Sequence, residues 1–165
     1  VTYRIYQPIG SHKCVAAVGA MITGMSIKDF EYVVGESQDG YTLADLQYYL
    51  MLRGYMLMSI ADVSSLDNFN TNDILHVGYS LNNYPCCIEV EKSVDKEGNE
   101  VIYGEHGHVV YWDGKDIFDP DSRISHNLTV NDYGILKVIP VREVPKNSVY
   151  LQNLEEDYEI NNLSI

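Results

Sequence analysis

A cysteine at position 14, a histidine at 108 and an aspartate at 119 stand in an order that suits nucleophilic chemistry. Cys14 opens the apolar stretch Cys14-Val15-Ala16-Ala17-Val18-Gly19-Ala20-Met21-Ile22, just after the turn-like Pro8-Ile9-Gly10-Ser11. A thiol at a helix start feels the positive end of the helix dipole, which favours the thiolate. His108 begins a strand-like run to Trp112, followed by Asp113-Gly114 and then Lys115 to Phe118. Asp-Gly favours a two-residue type I′ hairpin turn, and such a turn sets His108 directly opposite Asp119. Opposed residues have Cβ atoms about 4.5–5.5 Å apart, near enough for an imidazole N–H to donate to the carboxylate. The aspartate would then fix the tautomer and leave the other ring nitrogen to take the thiol proton. Gln7, across the turn from Cys14, can aim an amide N–H at an oxygen developing negative charge, with the Cys14 backbone N–H as a second donor. Together the four residues make an acyl-transfer site: Cys14 as nucleophile, His108 as base, Asp119 as its orienting group and Gln7 in the oxyanion hole.

Each residue also has an ordinary reading. A cysteine on an apolar helix commonly serves as a small buried hydrophobe, and an aspartate before proline commonly starts a turn. The signal lies in the combination and its order. His106 and Asp121 match in the same register, but Gly107 and Pro120 place that pair at a frayed ladder end. His12 is two positions from Cys14 and poorly placed to face it. Cys86 and Cys87 open a strand, where one is expected to face the core and the other outward. Trp112 and the 14 tyrosines read as packing and surface groups.

These residues need elements to position them. The stretch from Cys14 is apolar on every side and suits a helix buried all round. Ser26 with Asp29, and Thr42 with Asp45, have the form of capping boxes opening two amphipathic helices that stop near Gly35 and Gly54. Tyr55 to Ile60 has the look of a strand; 64–84 is too polar and mixed to assign. Ile88 and Val90 alternate with Glu89 and Glu91 as in a half-buried strand, Asp95 to Asn99 reads as a turn, and Ile135 to Val141 supplies a further strand. Helices first and an antiparallel sheet afterwards give an α+β architecture. The expected division is one domain over 1–149 and an acidic tail over 150–165.

Composition narrows the classes. A chain of 165 residues with 45% hydrophobic content fits one folded domain. Against 11 basic side chains stand 24 acidic ones, a formal charge of -13, which repels phosphate backbones and excludes ordinary nucleic-acid binding. The same charge fits a protein that imitates nucleic acid, although the acidic residues are scattered and not arrayed on one face. Three cysteines lack the count and spacing of a disulfide framework or a zinc site, so a reduced compartment, or a virion-associated location, is expected before a secreted one. The apolar stretch after Cys14 is interrupted by Gly19 and Gly24 and is too short to span a bilayer, so neither a signal peptide nor a membrane partner is expected. The first residue, Val1, fits either a processed end or a piece of something longer.

Gln7-Pro8 with Cys14-Val15-Ala16-Ala17, then Gly107-His108-Val109-Val110-Tyr111, then Ile117-Phe118-Asp119-Pro120 resemble segments of papain-like cysteine peptidases, particularly the bacteriocin-leader-processing group and its stand-alone relatives. The resemblance covers the chain in its order of elements and is specific at these short patches. It implies a papain-like fold and cleavage of a peptide or protein amide through a thioester on Cys14, with no metal or organic cofactor. His108 and Asp119 would complete the triad and Gln7 the oxyanion hole. Relatives often carry a glycine after the cysteine or an aspartate beside it, whereas Lys13 and Val15 flank it here. The same residues would serve an acyltransferase, and the same fold a non-catalytic binding module.

Overall fold

Gly19 sits where three helices meet: a Cβ at this position would come within 3.0 Å of Phe30 and 3.2 Å of Leu46 and Tyr49. The computed structural model describes residues 2–58, 61–62, 84–104 and 107–144. Helix α1, Cys14–Thr23, has every residue from Val15 to Ile22 buried, as an all-apolar sequence requires. Helices α2, Ile27–Val34, and α3, Leu43–Leu52, pack against it. Both begin as their sequences direct. Ser26 accepts a hydrogen bond from the Asp29 N–H, and Thr42 with Asp45 forms a reciprocal capping box. Asp29 has a second duty: its carboxylate accepts from the Tyr49 hydroxyl at 2.6 Å and from the Arg53 guanidinium at 2.9 Å, tying α2 to α3.

The strands are β1 Tyr55–Leu57, β2 Ala61–Asp62, β3 Cys86–Val94, β4 Glu100–Ile102, β5 His108–Trp112, β6 Ile117–Phe118 and β7 Gly134–Glu143. They form an antiparallel sheet in the order β1-β7-β3-β5-β6, with β2 on β7 and β4 on β3. The chain is therefore α+β, and no helix among the described residues is long and apolar enough to cross a membrane. The short strand β4 had no counterpart in the sequence reading. The acidic tail, and all but the end of the 64–84 stretch, lie outside the described residues.

Both faces of the sheet are covered. Cys87, Val109, Tyr111, Ile139 and Val141 pack with the three helices. On the opposite face Cys86, Ile88, Val90, Val110 and Trp112 pack with Ile124 and Tyr133, from the connection between β6 and β7. Cys86 and Cys87 are thus both fully buried, each on its own face, contrary to the expectation that one points outward. The connection from 119 to 133 supplies the second cover, and its apolar residues have no periodicity to announce it.

The β5–β6 connection also departs from expectation. Tyr111 pairs with Phe118 and Trp112 with Ile117, so four residues, 113–116, make the turn instead of two. The reason is the Asp113 side chain, which accepts hydrogen bonds from the N–H groups of Lys115 and Asp116 at 2.9 and 2.8 Å. Aspartate favours this local bond in turns, and here it displaces the tighter hairpin.

Candidate active site

Continuing the observed register past Phe118 brings Asp121, not Asp119, opposite His108. His108 and Asp119 nevertheless meet, as diagonal neighbours on one face, a separation that long side chains can bridge. Nε2 of His108 lies 2.7 Å from Oδ1 of Asp119, and both side chains are buried. The same Oδ1 accepts the Asp121 backbone N–H at 2.8 Å, while Oδ2 accepts the Tyr133 hydroxyl at 2.8 Å. With Nε2 committed to Asp119, Nδ1 is the nitrogen left for the thiol.

Cys14 is the first residue of α1 and is half-buried. It neighbours the imidazole closely enough to act on its protonation. Burial, the largest influence on His108, disfavours the charged ring; the hydrogen bond to Asp119 and then the interaction with Cys14 outweigh it, and the pKa is pushed up to about 9. The ring is thereby held ready to be an imidazolium beside the sulfur. The Lys13 side chain makes no cap hydrogen bond to the first turn of α1, where helix N–H groups have no partner within the helix. Lys13, which precedes the cysteine, reaches to Glu31 of α2 at 2.6 Å.

Gln7 stands on the N-terminal arm, and its backbone N–H donates to the Pro120 carbonyl at 2.9 Å, so the arm is fastened to the turn that carries Asp119. Its Nε2 donates to the Ser11 carbonyl at 2.8 Å. This identifies the nitrogen end of the amide and leaves a second N–H on it. Gln7, Cys14 and His108 line one open cleft of about 520 Å³, walled by Asp39 and Gly40 on one side and Arg123 on another. His12 lies in the same lining, and His108 carries the bond to Asp119. His106, weighed in sequence as a partner for Asp121, lies outside the described residues; Asp121 accepts from Arg123.

The sequence reading missed the surroundings of the base. The Tyr103 ring stacks on the imidazole with centroids 4.1 Å apart and planes at 14°. Its hydroxyl donates to Oδ2 of Asp121 at 3.3 Å and lies 3.0 Å from Ser93 Oγ. Burial would raise the Asp121 carboxyl, yet the bonds from Arg123 outweigh it and hold the group below its ordinary range. Tyr103 and Tyr133, read from sequence as packing groups, are polar parts of the site. Only the local pair Asp121 and Arg123 had a spacing that could have announced itself.

No protein-family model, curated protein or solved structure matches the chain.

Proposed function

We propose that this protein is a papain-like cysteine hydrolase that cleaves a peptide or protein amide through a thioester on Cys14. The observation that carries the reading is the convergence of a half-buried thiol at a helix start with a buried histidine whose Nε2 is bound to a carboxylate. A buried helix bearing the nucleophile, with an antiparallel sheet bearing the base, supports the papain-like assignment of the fold. The cysteine sulfur, as thiolate, attacks the carbonyl carbon and forms a C–S bond. The resulting oxyanion is stabilised by the free Gln7 Nε2–H and the Cys14 backbone N–H. His108, as imidazolium, gives its Nδ1 proton to the leaving amine as the C–N bond breaks. Water then attacks the thioester, His108 takes its proton, and the C–S bond breaks to release the acid and return the thiolate beside the imidazolium.

The test uses both chemistry and kinetics. Brief treatment with a peptide chloromethyl ketone should add one peptidyl group on Cys14 and none on Cys86 or Cys87. Those two are fully buried, and burial pushes Cys86 up to about 12 and Cys87 up as well. Cys14→Ala should abolish release of amines from a mixed peptide pool. Turnover equal to the parent in Cys14→Ala, with Cys14 unmodified, would remove the cysteine from the mechanism.

A further inference from the structure

We infer that Tyr133 is a positioning residue for the base, its hydroxyl setting the angle at which Asp119 holds His108. The inference rests on the reading of Cys14, His108 and Asp119 as the reacting set. Asp119 has two oxygens: one takes the imidazole and the Asp121 N–H, and the other takes the Tyr133 hydroxyl at 2.8 Å. Without that second anchor the carboxylate could rotate about its own axis and offer His108 either oxygen. All three side chains are buried, so water cannot readily replace a lost partner.

The local sequence delivers the hydroxyl to this place. The Asp132 carboxylate accepts from both the N–H and the hydroxyl of Thr129, at 2.7 and 3.2 Å, and so closes a short 3₁₀ turn, Val130–Asp132, which Tyr133 ends. Gly134 follows, opposite Lys92 of β3, at a point where a Cβ would meet Lys92 Cγ at 2.6 Å and Glu91 Cγ at 2.9 Å. The backbone at 134 can lie this close to β3 only because the residue has no side chain. Tyr133 is therefore clamped on both sides, between a capped turn and a tight strand entry. Burial, followed by the nearby Asp119 charge, pushes the phenol far up, so it stays a donor at every working pH.

Among the described residues, the titratable and charged groups around this pair can be named. His108 is faced by Cys14 from α1, by Tyr103 from the β4–β5 connection, and by Asp119 and Asp121 from beyond β6. Tyr133 is faced by Asp119, Tyr103 and Arg4. A neutral donor on the carboxylate matters most when the imidazole is uncharged, because the imidazolium otherwise supplies the compensation. Removing the hydroxyl must then raise the His108 pKa.

The experiment is a titration of the His108 ring by ¹⁵N–¹H NMR in the full chain. Tyr133→Phe should raise the His108 pKa by about half a unit to one unit, the part of one hydrogen bond to a charged group that differs between the two protonation states of the ring. The alkaline limb of kcat/KM should follow it upward, with kcat about tenfold lower and KM little changed. In an Asp119→Ala background the same substitution should leave His108 where it was, since the effect passes through the carboxylate. Should Tyr133→Phe not fold, 3-fluorotyrosine placed at position 133 alone is a stronger donor and should move His108 downward. An unchanged His108 titration with either replacement overturns the inference. Turnover that survives Cys14→Ala overturns the reaction reading instead, and the two failures are told apart because the titration does not depend on turnover.

Discussion

Three donors surround the Asp119 carboxylate: His108 Nε2–H, the Asp121 N–H and the Tyr133 hydroxyl. Their arrangement decides what asparagine would do in its place. An amide oxygen would be drawn to the Oδ1 position, where two N–H groups need an acceptor, and the amide nitrogen would face Tyr133, whose hydroxyl can turn and accept. The tautomer of His108 is then preserved, unlike the case of a triad aspartate whose amide replacement presents an N–H to the ring. What is lost is charge. Asp119→Asn should therefore lower the His108 pKa from about 9, move the alkaline limb of kcat/KM to lower pH and reduce turnover about 10- to 100-fold. Asp119→Ala, which leaves Nε2–H without an acceptor, should cost more. A pH–rate profile on both variants checks this, and equal losses with no movement of the limb would mean that the charge of Asp119 has no part in catalysis. The grouping of Cys14, His108 and Asp119 was legible in sequence because a cysteine, a histidine and an aspartate in this order are distinctive residue types. Tyr133 and Tyr103 were not, because a tyrosine has no local signature that separates a buried ring from a hydroxyl aimed at a carboxylate across the sheet.

Among the elements, the helix starts were the most legible part of the fold, since a capping residue and its reciprocal partner lie within one turn of each other. Thr42 and Asp45 make both bonds of the box that their spacing suggests, while Ser26 makes its one and the Asp29 carboxylate turns to Tyr49 and Arg53 instead. Turn length was less legible at Asp113-Gly114, where a glycine that permits the tight hairpin competes with an aspartate whose side chain can cap the next N–H groups. Sequence lists both options and only the packed structure chooses. The burial of both Cys86 and Cys87 was hidden for a similar reason: alternation reveals one apolar face, while the cover on the other comes from an irregular segment. Gly19 offers the sharpest element-scale test. Valine there would gain helix propensity over glycine but would add branched atoms where even a Cβ is 3.0 Å from Phe30 and 3.2 Å from Leu46 and Tyr49. Overpacking of this kind costs about 1–3 kcal/mol or more, so Gly19→Val should lower the urea midpoint without changing the slope. A midpoint at or above the parent's would show that α2 and α3 can move away from α1 freely.

On the scale of the whole molecule, which carries a net charge of -13, the low-pKa carboxyls and His108 make opposite demands as pH changes. The carboxyls of Asp29, Asp95 and Asp121 are held below their ordinary values: in Asp29 chiefly by Arg53, in Asp95 by backbone N–H groups, and in Asp121 by Arg123 against the effect of burial. Their contribution is present above the unfolded value of 3.8 and is lost as pH falls through the lower folded values. His108 behaves in the other sense. Its folded pKa is about 9 against 6.5 when unfolded, so its contribution is fully present below 6.5 and is lost as pH rises through 9. Self-repulsion among the acidic side chains also grows with pH as remaining cations lose their protons, and the two alkaline trends must be separated. His108→Gln does so, because glutamine can still donate to Asp119 but does not titrate. Between pH 6 and pH 10 the melting temperature of the parent should fall further than that of His108→Gln. The difference should be on the order of 3 kcal/mol, or about 6–12 °C for a chain of this size. Parallel curves would mean that the folded protein does not favour the imidazolium. The imidazolium that the proposed reaction uses would then form only when substrate closes the cleft, and the alkaline limb of turnover would lie near the unperturbed histidine value instead of near 9.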